Sequence, residues 1–174
     1  MKKPTIILWI FYLLLAGCTT QELSREEAFR LLQQKEQYPK VIDYDIYCSD
    51  PKYAKKAIDA GLEKEGLVTV LRTQKLAEVG KPLVQFTPKA QPYLLATPPK
   101  DKAVDVQRVK VADADLVEVT GVKTENDGKN AVVEYTTVYK NITPFSALTT
   151  INFNGKASRK VRFSLYDDEW RLEK

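Results

Sequence analysis

The stretch from Asn130 to Tyr139 alternates over its whole length: Val133, Tyr135, Thr137 and Tyr139 fall on one face, and Val132, Glu134, Thr136 and Val138 on the other. That two-residue period, rich in β-branched and aromatic side chains, is the signature of a strand. The flanking sequence repeats the pattern. Arg159 to Tyr166 places Val161, Phe163 and Leu165 inward and Lys160, Arg162 and Ser164 outward. Asp167-Asp168-Glu169 then turns the chain so that Trp170 and Leu172 rejoin the core face. Upstream, Val104, Val106, Val109 and Val111 precede Leu116, Val117, Val119 and Val122, two valine-rich runs with Asp113 and Asp115 in a loop between them. Asn126-Asp127-Gly128 supplies residues that tolerate the positive φ of a tight hairpin. Residues 104–174 are therefore predicted to form an antiparallel meander of four to six strands.

Residues 24–96 read differently. Ser24 and Glu27 form a capping box, and Ala28, Leu31 and Leu32 follow at helical spacing, which predicts a helix from Arg25 to about Glu36, stopped by Pro39. Lys40 to Cys48 alternates as a strand, with Cys48 behaving as a small buried hydrophobe. Asp50-Pro51 opens a second helix with Ala54, Ala57, Ile58 and Leu62 as its apolar stripe and Gly66 as its stop. Two short strands, 67–73 and 82–87, and a helical turn at 88–95 complete this half. Pro98-Pro99 between polar residues marks a linker or long loop over 97–103. The fold class expected is α+β: a helix-containing N-terminal half followed by an antiparallel sheet.

Ahead of both halves stand Lys2 and Lys3, an apolar run without charge from Ile6 to Leu15, and small residues, the pattern of a secretory signal. The 14 residues from Pro4 to Gly17 fall short of the roughly 20 that a spanning helix needs. Leu15-Ala16-Gly17-Cys18 resembles the lipobox of a bacterial lipoprotein. The resemblance implies removal of residues 1–17, diacylglycerol on Cys18 and acylation of the new amino terminus. More than one chain is needed for lasting attachment, and a triacylated Cys18 meets that need. Thr19 is not the aspartate that retains many such proteins in the inner membrane, so the outer membrane is favoured in a cell that has one. Residues 18–23 are then a short tether, and the five residues 19–23, at roughly 3.3–3.6 Å each, reach under about 20 Å and hold the folded body near the lipid.

Removing the signal also removes Lys2 and Lys3, leaving 25 basic residues against 23 acids and no basic footprint for nucleic acid. Cys48 is left without an intramolecular partner. The chain contains no histidine, which excludes Ser-His-Asp and Cys-His machinery and every imidazole zinc site. No motif calls for a metal or another cofactor. Carboxylate chemistry stays open at Asp113 and Asp115 and at Asp167-Asp168-Glu169, although turn chemistry accounts for the last cluster. The aromatics Tyr135, Tyr139, Phe145, Phe163, Tyr166 and Trp170 belong to a core by their spacing, with Tyr139 and Phe145 expected to face a ligand at an open end of the sheet.

The order helix, strand, helix, Gly66-Leu67-Val68, then two strands ending Phe86-Thr87-Pro88-Lys89-Ala90, resembles the helix-plus-wing half of a winged-helix domain over residues 24–95. That family usually binds DNA. This chain departs from it in having one helix where the family has two, and no arginine on the second helix's stripe. The expectation is a non-enzymatic, lipid-anchored binding or assembly module of a bacterial envelope, whose partner is an envelope protein, peptidoglycan or a small ligand. The alternatives are a histidine-free hydrolase of envelope glycans that uses carboxylates, and a winged-helix nucleic-acid binder.

Overall fold

The computed structural model describes residues 22–125 and 127–173. Strand accounts for 40% of the chain and helix for 25%, arranged as a mixed α/β fold around a curled antiparallel sheet of five strands. The elements run α1 (Arg25–Lys35), β1 (Lys40–Tyr47), α2 (Pro51–Asp59), β2 (Val68–Val70), β3 (Val84–Phe86), α3 (Pro99–Lys102), β4 (Val106–Thr124), β5 (Asn130–Lys140), β6 (Lys156–Tyr166) and β7 (Glu169–Leu172). The sheet order is β1-β4-β5-β6-β7, every pair antiparallel, while β2 and β3 form a separate hairpin. Strand β1 belongs to the N-terminal half, so chain from both sides of 97–103 contributes to one sheet.

The local signals account for most of the boundaries. Ser24 Oγ accepts from the Glu27 N–H at 3.1 Å and caps α1. Asp50 caps α2 by accepting from Lys52 N–H at 2.7 Å, with Pro51 in the first turn. Helix α2 ends at Asp59, earlier than the expected stop at Gly66. Gly61, at φ +77°, sits just past the Ala60 C-cap; its N–H donates to the Ile58 carbonyl and the Leu62 N–H to the Ala57 carbonyl, both bonds of a Schellman motif. Leu62 is thereby turned back into the core, fully buried, and Ile58 is left on the surface.

Strand β4 corrects the reading of two valine runs. It is continuous for 19 residues, and Asp113 and Asp115 lie within it. Both carboxylates are compensated from neighbouring chain. Asp113 accepts from Lys110 Nζ at 2.7 Å and Asn141 Nδ2 at 2.8 Å, and Asp115 from Lys140 Nζ at 2.5 Å. Its length lets β4 serve two cores. Near its start, Val109 joins Ile46 of β1, Ala54 and Ala57 of α2, Val68 and Val84 of the hairpin, and Phe145. Further along, Leu116 and Val119 join Leu31 and Leu32 of α1, Val133 and Tyr135 of β5, Phe163 of β6 and Trp170 of β7. The elements that carry the winged-helix resemblance are thus divided between two cores: α1 on the second, α2 and the hairpin on the first. Strand β1 bonds to β4.

Residues 97–103 are tied down. The Pro98 and Pro99 pair starts α3, and the buried Thr97 hydroxyl accepts from the Arg108 N–H at 2.9 Å. Leu95 N–H donates to the Arg108 carbonyl at 2.9 Å, so this segment borders the start of β4.

Candidate functional site

The face of the sheet that covers the second core continues outward into a cluster of tyrosines around one arginine. Tyr135 and Tyr139 lie two apart on β5, so the strand's pleat points both the same way. The β5–β6 register sets Arg159 directly opposite Tyr135. Arg159 is exposed, and its Nη2 donates to Tyr139 Oη at 3.3 Å. Tyr38, in the turn between α1 and β1, meets Tyr135 edge-on with centroids 6.5 Å apart, and the two hydroxyls lie 3.5 Å from one another. Phe153 stands edge-on to Tyr139 at 5.1 Å. Burial, the Tyr135 hydroxyl and the charge of Glu36 together raise the Tyr38 pKa beyond that of a free phenol, while Arg159 pulls it back. Tyr38 is therefore a neutral hydroxyl over the working pH range. Together these groups offer phenolic hydroxyls, two aromatic rings at the surface and a guanidinium, a set suited to holding an anionic group rather than to moving protons.

Of the residues singled out in the sequence, Tyr139 is half-buried in this cluster. Phe145 is not. It is fully enclosed in the first core, 6.2 Å from Phe86 and 6.0 Å from Tyr93 centre to centre, and so faces the interior rather than a ligand. The reason is the turn at Pro144–Leu148, which folds back over the start of β4: the Thr143 N–H donates to the Val111 carbonyl at 2.8 Å. Cys18 lies outside the described residues. Sequence reasoning missed Arg159, Tyr38 and Phe153. For Arg159 the signal was present: extending the inward parity of Val161, Phe163 and Leu165 by one step places it on the same face. Tyr38 and Phe153 sit in turns, where no periodicity points.

Of the concavities elsewhere, two bear on function. A polar cleft of about 560 Å³ separates α1 from the β6–β7 turn, with Glu27, Arg30 and Lys35 on one wall and Asp168, Glu169 and Arg171 on the other. It places Glu27 on one wall and Asp168 and Glu169 on the other, residue types that carboxylate hydrolysis uses. A shallower groove of about 400 Å³ runs between α2 and β2 over Ala54, Ile58, Val70 and Leu71. Beyond it the β2–β3 loop leaves Leu76 92% and Val79 70% exposed. Among the described residues no group of three acidic, cysteine or histidine side chains is placed to hold a metal, and no helix is long and apolar enough to cross a membrane.

No family model, no curated protein and no solved structure matches the chain.

Proposed function

We propose that this chain is a lipid-anchored protein of a bacterial envelope that binds a partner or ligand without catalysis, using the tyrosine–arginine cluster as its contact face. The lipobox Leu15-Ala16-Gly17-Cys18 supports the anchor. The observation that carries the binding role is Arg159, exposed beside Tyr139 with no carboxylate within ion-pairing distance among the described residues. A guanidinium left to a phenol is under-used electrostatically and has donors free for an anion.

The test is fractionation and crosslinking in intact cells, comparing wild type with Cys18→Ser. The expected result is wild type in the membrane fraction, Cys18→Ser released from it, and a discrete crosslinked species lost in Arg159→Gln. Membrane retention of Cys18→Ser overturns the anchor. The second reading, a glycan hydrolase, rests on the cleft between Glu27 and Asp168-Glu169. Turnover of cell-wall glycan that Glu27→Gln abolishes would establish it in place of the first.

A further inference from the structure

Strand β6 is paired on both sides only near its end. It bonds to β5 over residues 156–164, but to β7 only over 163–166. One more bond, from the Glu173 N–H to the Arg162 carbonyl at 3.0 Å, continues that edge. From Lys156 to Val161 no strand covers the outer side among the described residues. The directions of the backbone groups follow from two bonds. Leu165 N–H donates to Lys129 carbonyl on the β5 side, whereas the Arg162 carbonyl accepts on the β7 side. Antiparallel pairing alternates, and the β5–β6 register runs without a shift, so residues 156, 158 and 160 direct their N–H and C=O outward. Six residues at roughly 3.3 Å each leave about 20 Å of open edge.

The side chains along this edge narrow the occupant. Residues 156–162 contain Lys156, Arg159, Lys160 and Arg162 and no acid. Three of the four are matched on one face of the sheet, to Glu118 at 2.8 Å, Glu134 at 2.5 Å and Glu125 at 2.7 Å. Arg159 points to the other face, against Tyr139. We propose that this open edge takes up an extended peptide segment of a partner by strand addition, with a carboxylate of that segment on Arg159. Main-chain groups at strand spacing are matched by another peptide backbone and not by a sugar chain. A second copy of this strand is disfavoured, because antiparallel self-pairing puts both copies of Arg159, the basic side chain of this edge without a carboxylate partner among the described residues, on one face with no acid between them. The inference deepens the binding reading above and is independent of the anchor.

The probe is a random dodecapeptide library selected on the detergent-solubilised full chain. The expected outcome is enrichment of alternating β-forming sequences with Asp or Glu at one fixed position. The best of these, labelled with fluorescein, should bind at least tenfold more weakly to Arg159→Gln and to Ser158→Pro, the latter removing an outward N–H while leaving the β5 ladder intact. Circular dichroism checks that both variants fold. Hydrogen exchange on the wild type is the second readout: the amides of Ser158 and Lys160 should slow at least tenfold when the peptide binds. No enrichment above bare beads, enrichment without acidic preference, or unchanged exchange at Ser158 and Lys160 overturns the proposal. So does a dimer in light scattering whose formation protects these same amides. None of those results bears on whether Cys18→Ser leaves the membrane, so the failure of this inference and of the anchored reading stay distinguishable.

Discussion

Replacing Phe145 by alanine tests both the placement of that ring and the unity of the fold. The side chain is 0% exposed and packs between Phe86 and Tyr93 in the first core. A buried aromatic covers some 150–250 Å², which at about 25 cal/mol per Å² corresponds to roughly 4–6 kcal/mol of transfer free energy. Alanine retains a small part, and measured Phe→Ala losses in cores run at about 3–5 kcal/mol, the spread reflecting how far the site collapses. For a folded body of about 150 residues, each kcal/mol lowers Tm by roughly 2–4 °C, so a fall of about 6–20 °C is expected. Urea unfolding followed by tryptophan fluorescence reads a distant core: Trp170 sits in the second one. Because β4 runs unbroken through both, the Trp170 signal should shift together with far-UV circular dichroism in one transition. A loss below about 1 kcal/mol, outside the range for a buried aromatic, would show that Phe145 is not the core ring described here. Two separated transitions, with Trp170 unmoved, would refute the sharing of β4.

Three further outcomes follow from individual residues. Asp113→Asn should cost about 1–3 kcal/mol by weakening charge-assisted bonds from Lys110 and Asn141. Those bonds, Lys110 first, lower the Asp113 pKa in the folded state, so its contribution is complete above the unfolded value of about 3.9 and disappears as pH falls through the lower folded one. Urea midpoints for wild type and variant should therefore converge below about pH 4; a constant gap would refute the assignment. Cys48 is buried and its thiol pKa is pushed up to about 11, by desolvation first and the Asp105 charge second. In Cys18→Ser, iodoacetamide at pH 8 should label Cys48 more than about 100-fold slower than a free thiol, and at the free rate once unfolded. Gly61→Ala should cost about 1–2 kcal/mol in urea, although nothing lies within 4 Å of the new Cβ, because the Schellman turn holds φ at +77°. A neutral result would mean that α2 does not need that turn.

How much of this could be read in advance depends on whether the information was periodic. Local repeats did well: α1 and its Ser24 cap, β1 ending beside a buried Cys48, β5, and the return of Trp170 to the core all follow from spacing that constrains side chains to one face. Ser164 shows where the period misleads. Alternation places it outward, yet it is buried at the end of the β6–β7 hairpin, where its hydroxyl donates towards the side-chain oxygens of Asn130 and Glu173. Asp113 and Asp115 resemble loop residues by type. Only the lysines brought from 110 and 140 explain how a strand carries them. Phe145 was misplaced for a similar reason: its position depends on a turn packing against Val111 and Val109, more than thirty residues earlier.

The sequence by itself determined α1, β1, β5 and the return of Trp170 to the core, because each depends on residue types within one or two turns of chain. It also contains Leu15-Ala16-Gly17-Cys18, the consecutive residues on which the proposed anchor rests. Tertiary structure decided that β1 pairs with β4 across some sixty-five residues, that one long strand serves two cores, and that Tyr38, Tyr139 and Phe153 gather about Arg159. Those outcomes rest on which apolar faces cover each other and which polar groups find partners at a distance. Burial area and hydrogen-bond satisfaction are properties of the whole packed chain, and no local window of residues contains them.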